Sequence, residues 1–308
     1  MTLGKARIFS IAAVIIAAVL AFLYLQKNPY DFKGLTFQVF LVLSIFSWIS
    51  AILNGIRVKI FCDIFNIGLS FKEWFGLSQV TSMGNYLTPF KGGTSLRAIY
   101  LKKHYDFPYN QFIATMASTA VISFAVYGLL GLISLIFIFA ATNTFNSLLF
   151  AIFSICTFGS LVIFIFPHSI ITRLFTRGFL AGYIAKILEG WSIIKNKPSG
   201  IIKLIAIEVL FSAAFAFSIF FAFRAVGFRL PFIYCMIVAV ISNISIIFQI
   251  TPAGLGVREA VTVWASSLFG AGIALPLNVA LLVRLVAFIW VVPFGMIYGF
   301  MLLGKKRQ

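Results

Sequence analysis

The sequence predicts an all-α, polytopic membrane protein with about six full spans and two oppositely oriented, re-entrant broken-helix hairpins forming an inverted repeat. Three observations carry that class. The chain is 62% hydrophobic and 10% charged over 308 residues, with a mean hydropathy of +1.08. A water-soluble domain of this size has no interior large enough for so much apolar surface. The apolar runs are continuous, and several reach the ~18–20 residues that cross a hydrocarbon core, whereas a membrane barrel would alternate apolar and polar positions. Finally, the basic residues gather in short segments beside those runs, the arrangement that orients helices in a bilayer. The net charge of +17 therefore reports topology and attraction for anionic headgroups, and nucleic acid is not expected as a partner.

The first run, Ile8–Leu25, follows Lys5 and Arg7. It is too long for a signal peptide's apolar middle, and "QKNPYD" follows it without a small-residue cleavage site, so it reads as an uncleaved first span. The next spans are Phe37–Ile56, Gln111–Phe139, Ser147–Phe166, Ile201–Phe223 and Leu277–Leu303. Two further regions, Phe71–Lys103 and Leu230–Phe269, are apolar but interrupted. One transmembrane domain, 1–308, holds two leading helices (1–66), a first repeat half (67–140, broken at 88–93), helices with a cytoplasmic amphipathic linker (141–229) and a second half (230–304, broken at 251–257).

Loop charge assigns the sides. Lys5 and Arg7, then Arg57, Lys59 and Lys72, then Arg173, Arg177, Lys186, Lys195 and Lys197, then Lys305, Lys306 and Arg307 should all be cytoplasmic, with both termini inside the cell membrane. The uncharged Ala140–Asn146 connection should be outside. The loop with Lys27 and Lys33 fits least well, diluted only by Asp31. Both interrupted regions then begin and end on one face, the first cytoplasmic and the second external. Ser169–Lys197 has Ile170, Leu174, Leu188 and Trp191 at helical spacing with basic residues between. It reads either as an amphipathic helix on the cytoplasmic surface or as a basic loop that sets topology.

The two interruptions resemble each other. "NYLTPFKGGTSLRAIYL" (Asn85–Leu101) and "FQITPAGLGVREAV" (Phe248–Val261) each end an apolar helix in Thr-Pro (Thr88-Pro89, Thr251-Pro252). Two glycines follow (Gly92 and Gly93; Gly254 and Gly256), then an arginine (Arg97, Arg258), and Pro108 or Pro276 leads into a long span. Proline removes a backbone donor and glycine weakens a helix, and such backbone at membrane depth must be buried in protein or line a wet cavity. The half-helix after each break aims free N–H groups into that cavity and, with an arginine, suits a phosphate.

A mid-membrane arginine costs roughly 2.5–3.5 kcal/mol on insertion scales, so each one asks for a reason. Arg284 lies deep in "NVALLVRLVAFIWVV", and Glu208 and Glu259 are the carboxylates available to pair with it or to carry a proton. Arg97 and Arg258, beside the breaks, are expected to touch ligand. Lys91 is expected to touch ligand or to reach the membrane interface. Cys62, Cys156 and Cys235 are isolated packing residues, and His104 and His168 stand alone at predicted membrane edges. No nucleophile–base pair, metal cluster or nucleotide loop is present in the sequence, so neither enzyme activity nor a cofactor is expected, and transport would be passive, ion-coupled or driven by downstream consumption.

"NGIRVKIF" (Asn54–Phe61), "NYLTPFKGGTSLRAIYL", "TPAGLGVREA" and "LLVRLVAF" (Leu281–Phe288) together resemble the transmembrane region of lysylphosphatidylglycerol synthetases and its stand-alone flippase-like relatives over nearly the whole chain. The resemblance implies a membrane domain that moves or presents lipids: an aminoacylated phospholipid in fused members, and polyprenol-phosphate sugars or surface glycans in stand-alone ones. By position it carries over Arg57, the Pro89–Gly93 break with Arg97, the Pro252–Gly256 break with Arg258 and Glu259, and Arg284. The chain departs from the pattern twice. Thr94 and Ser95 stand where relatives often have an acidic residue, and "MASTAVISF" stands where they often have a Glu-Arg pair. The expected function is a flippase for an anionic lipid, with membrane lipids as partners. The alternative is a non-transporting membrane subunit beside a lipid-modifying enzyme or glycosyltransferase. Without a soluble synthetase domain before Gln308, aminoacyl transfer is not expected of this chain.

Overall fold

A computed structural model describes residues 36–165, 180–248 and 250–303, and all regular structure among them is helical. Five helices are long and apolar enough to cross a membrane: α1 (Phe37–Ile64), α4 (Tyr109–Thr142), α5 (Ser147–Ile165), α7 (Pro198–Ala225) and α10 (Ala274–Leu303). They correspond to five of the six expected spans. The sixth, Ile8–Leu25, lies outside the described residues, as do the charges of both termini, His168, Arg173 and Arg177.

Burial differs from that in a water-soluble protein in its apolar exterior and its buried hydroxyls. Ser118, Ser212, Ser242 and Thr115 are fully buried, while Phe300 is 82% exposed and Ile155 72%. Large apolar side chains distributed over the outside of long helices suit a hydrocarbon solvent, and hydroxyls inside let helices approach and bond to one another. Ser118 shows both. Its hydroxyl donates to the carbonyls of Ala114 (3.1 Å) and Ile187 (2.7 Å), tying α4 to α6 (Leu180–Ile194).

The remaining elements form two helix–break–helix units. In the first, α2 (Phe71–Leu87) and α3 (Gly92–Tyr105) flank a break at Thr88–Lys91. α2 starts at Ser70, whose backbone N–H donates to Glu73 Oε2 at 2.9 Å in a capping box. Phe90 and Lys91 adopt left-handed backbone, turning the chain back. The returning helix passes α2 so closely that a Cβ on Gly84 would sit 2.5 Å from Gly93 Cα. Tyr100 and Tyr105 hydroxyls then reach Glu73 Oε1 at 3.0 and 2.7 Å, so both ends of the unit lie together.

The second unit pairs α8 (Phe232–Ile244) with α9 (Val257–Ser267) across two 3₁₀ turns, Ser245–Phe248 and Pro252–Gly254. Ala253, Gly254 and Gly256 have positive φ. Ser242 and Thr262 hydroxyls lie 3.2 Å apart, and the Tyr234 and Phe269 rings are 4.4 Å apart at the base, so this unit also folds back on itself. The tips of the two units meet: the Phe90 backbone N–H donates to the Ile250 carbonyl at 3.3 Å.

One expectation is corrected. The second span does not end at Ile56 but continues as helix to Ile64, which places Arg57 on a span rather than in a cytoplasmic loop. No glycine or proline interrupts "RVKIFCDI", and Val58, Phe61 and Cys62 gain burial by staying helical. The described part of the amphipathic segment is helical, α6, and packs one side on protein. A Cβ at Gly190 would strike the Ala114 backbone, Leu188 and Ile194 are buried, and Trp191 stacks near Phe164 at 4.4 Å.

Candidate functional site

A cavity of about 230 Å³ lies among α1, α2, α7, α9 and α10, beside the second break. Its walls differ. On α1, Ser47, Ser50 and Asn54 form a polar stripe at helical spacing; on α2, Gln79, Ser82 and Tyr86 do the same. α10 opposes them with Val279, Val283, Ala287 and Val291, and α7 adds Phe211 and Phe215. Arg258 and Glu259 of α9 and Arg284 of α10 form the charged part.

The charges there are not equivalent. Arg284 Nη1 donates to Glu259 Oε1, and its Nη2 donates to the Ala253 carbonyl at 2.5 Å. Glu259 Oε2 accepts the Gly256 backbone N–H at 2.8 Å. One ion pair thus satisfies both a donor and an acceptor that the broken helix leaves without intrahelical partners, the condition for irregular backbone in a low-dielectric setting. The expected pairing of Arg284 with Glu208 or Glu259 resolves to Glu259. As a headgroup ligand, Arg284 has two donors already committed.

Arg258 has no ion pair or hydrogen bond among the described residues. Its guanidinium lies over the Phe215 ring, 5.2 Å from the centroid, on the cavity wall. Such stacking contributes about 0.5–2 kcal/mol and leaves the N–H edge free.

Glu208 is 2% exposed and stands behind the cavity in a network of its own. Arg57 Nη1 (3.0 Å) and Ser123 (2.9 Å) donate to Oε1, and Tyr127 (2.6 Å) donates to Oε2. Arg57 Nη2 also donates to Asn54 Oδ1 at 2.5 Å, and Asn54 Nδ2 donates to Ser82 at 3.2 Å, which links this network to the cavity's polar wall. Arg57 is therefore held by a carboxylate rather than facing the cavity.

Arg97 does not reach the cavity. It is 8% exposed, its Nη2 lies 2.9 Å from Met116 Sδ, and Phe61 and Phe112 cover its guanidinium at 5.9 and 5.4 Å. The two arginines expected to touch ligand beside the breaks therefore part company: the structure brings Arg258 and Arg284 together and seals Arg97 among aromatic rings. "MASTAVISF" explains part of this. Where an acidic partner would stand, Met116 offers Arg97 only a thioether, while Ser123 serves Glu208. Lys91, half-buried at the first tip in left-handed backbone, meets no carboxylate among the described residues.

The break residues act locally. Thr88 Oγ1 donates to the Gly84 carbonyl at 2.6 Å, closing α2 before Pro89, and Asn85 Oδ1 accepts the Thr94 N–H at 3.3 Å. Thr251 Oγ1 donates to the Leu255 carbonyl at 2.8 Å across Pro252. Sequence reasoning missed Ser47, Ser50, Gln79, Ser82, Tyr86, Ser123 and Tyr127 as site residues. The signal was available for the first five: polar residues three or four apart within apolar helices.

The fold and the cavity define a multi-pass helical membrane protein with a polar, partly charged chamber beside helix breaks. The family model described as the lysylphosphatidylglycerol synthase TM region matches residues 7–295. The chain belongs to that family of membrane proteins related to lipid modification or transport. Comparison with curated proteins and with solved structures gives no match.

Proposed function

We propose that the chain transfers an anionic lipid across the cytoplasmic membrane, taking the headgroup through the chamber beside the second helix break. The observation that carries this reading is an arginine with no ion pair or hydrogen bond among the described residues, Arg258, on the wall of a polar cavity enclosed by apolar spans. A guanidinium held without a carboxylate in such a place favours an anion that can supply the missing charge, and its planar edge fits phosphate.

In this reading the two helix–break–helix units are re-entrant hairpins. At 1.5 Å per residue, α2 extends about 25 Å and α9 about 16 Å, short of a ~30 Å core. Each unit returns to its own base, and the tips bond to each other through Phe90 and Ile250, as expected for hairpins entering from opposite faces. The positive-inside assignment puts the base of the first hairpin, with Lys72, Lys102 and Lys103, on the cytoplasmic side and the base of the second outside. Movement of one hairpin relative to the other would open the chamber alternately to the two leaflets. The cavity, below the ~300 Å³ of typical ligand sites, holds a headgroup with the acyl chains left in lipid.

The test is headgroup transfer in liposomes containing the purified chain and phosphatidylglycerol with a fluorescent acyl label. Arg258→Ala, checked for an unchanged monodisperse profile, should lose most of the protein-dependent transfer. Equal rates for wild type and variant would remove the proposed site. No transfer by the wild type, together with copurification of a lipid-modifying enzyme or glycosyltransferase, would favour a non-transporting subunit instead.

A further inference from the structure

The chamber's free hydrogen-bonding groups specify more than a negative charge. Its carboxylate, Glu259, has both oxygens engaged, one by Arg284 and one by the Gly256 N–H. Glu208 lies behind the wall, bonded by Arg57, Ser123 and Tyr127. Among the described residues, no lining carboxylate is left to receive a cation.

The groups that do remain are neutral, apart from Arg258. Gln79 is 3% exposed, lines the cavity, and its amide has no hydrogen-bond partner among the described residues. Its polar atoms are nevertheless not sealed in protein, unlike those of Ser78 one residue earlier, whose hydroxyl is buried and unpartnered. The amide therefore faces the chamber. The hydroxyls of Ser47, Ser50 and Tyr86 are likewise without partners among the described residues and line the same space. An amide and three hydroxyls that open onto the chamber without protein partners are available to pair with what enters it. Each can donate and accept, which matches another hydroxyl and does not compensate an ammonium ion.

We infer that the chamber selects a headgroup whose phosphate meets Arg258 and whose remainder is uncharged and hydroxyl-rich, of the glycerol, inositol or sugar class, and that it discriminates against a cationic aminoacyl headgroup. Desolvating an ammonium beside Arg258 and Arg284 without a free carboxylate is unfavourable twice over, through lost hydration and through like charge. The inference rests on the lipid-transfer reading and narrows its substrate.

The test compares three acyl-labelled probes in the same liposomes: phosphatidylglycerol, lysylphosphatidylglycerol and phosphatidic acid. Wild type should move phosphatidylglycerol at least 5-fold faster than the lysyl lipid and also faster than phosphatidic acid, which lacks the hydroxyls. Gln79→Glu, close in shape, adds a free carboxylate and should shift the ratio toward the lysyl lipid by a similar factor. Ser50→Ala with Gln79→Leu should bring phosphatidylglycerol down to the rate of phosphatidic acid. The lysyl lipid moving as fast as phosphatidylglycerol in wild type overturns the inference while the transfer reading stands. If wild type moves none of the probes faster than protein-free liposomes do, the transfer reading itself fails and the inference falls with it.

Discussion

The first helix–break–helix unit depends on two glycines facing each other, and replacing one tests the packing directly. A Cβ at Gly84 would lie 2.5 Å from Gly93 Cα and 3.0 Å from Gly93 N. Both are backbone atoms, so no side-chain rotation relieves the overlap, and α2 and α3 must part by close to an ångström. Overpacking of a fitted interface costs about 1–3 kcal/mol, and a backbone-to-backbone clash belongs at the upper end. Removing a glycine from a helix interior returns about 0.5–1 kcal/mol. Gly84→Ala should therefore lose about 2 kcal/mol, roughly a 30-fold change in the folded-to-unfolded ratio. Gly159 is the control. It is also within a helix, but its Cβ would meet nothing within 4 Å, so Gly159→Ala should be neutral or slightly stabilising. The assay is equilibrium unfolding in mixed micelles followed by tryptophan fluorescence. Gly84→Ala as stable as Gly159→Ala would mean that the helices do not approach as described, and the tight tip would go with it.

Other outcomes follow from the charges and the tip contact. Arg284→Met or Glu259→Met alone should cost about 3–5 kcal/mol by stranding a buried partner, while the double replacement should cost clearly less in a double-mutant unfolding cycle. Glu208→Leu should destabilise by a similar 3–5 kcal/mol because it leaves Arg57 unpaired, and Glu208→Gln should recover part of that in the same assay. Cysteines at Phe90 and Ile250, in a background without Cys62, Cys156 and Cys235, should form an oxidative crosslink visible by gel shift; no crosslink would separate the tips. Burial tends to raise the Glu73 carboxyl, but hydrogen bonds from Tyr105, Ser70 and Tyr100 outweigh it and hold its pKa below the usual 4.5. The stabilisation is therefore complete above about 4.5 and is lost as pH falls through the lowered value, so the gap between wild type and Glu73→Gln should close on acidification.

Much of this was legible in the sequence because the membrane simplifies the physics. An apolar run of bilayer length has one stable backbone, so α4, α5, α7 and α10 could be placed to within three residues at each end. Proline and glycine mark the places where that backbone fails, which located both breaks. A carboxylate within the bilayer has few alternatives to an arginine, which narrowed Arg284 to two partners. What could not be read depends on contacts distant in sequence. Arg97 and Arg258 occupy similar positions after their breaks, but Phe61 and Phe112 from other helices cover the first, while the second finds Phe215 and an open wall. The continuation of α1 past Ile56 was hidden by Arg57 and Lys59, which read as loop charges until Glu208, 151 residues away, supplies a partner. The docking of α6 likewise depends on Gly190 finding the α4 backbone.

The contrast between the two break arginines bears on how the chamber works. Arg57, Arg97, Arg258 and Arg284 are accommodated in three ways. Arg57 and Arg284 have carboxylates, which leave them electrostatically satisfied and fix helices or backbone in place. Arg97 has two rings and a sulfur and is sealed from the chamber. Arg258 has a single ring and access to the cavity. Ring stacking at about 0.5–2 kcal/mol offsets only part of the several kcal/mol that desolvating a guanidinium costs. Of the two arginines without a carboxylate, only Arg258 stands where an incoming anion can reach it and make up the shortfall. A second carboxylate beside Arg258 would make the resting protein more stable and would remove the imbalance that draws phosphate in. The commitment of Glu259 to Arg284 and Gly256, and of Glu208 to Arg57, therefore keeps both acids away from the cation that the proposed function requires to be unpaired.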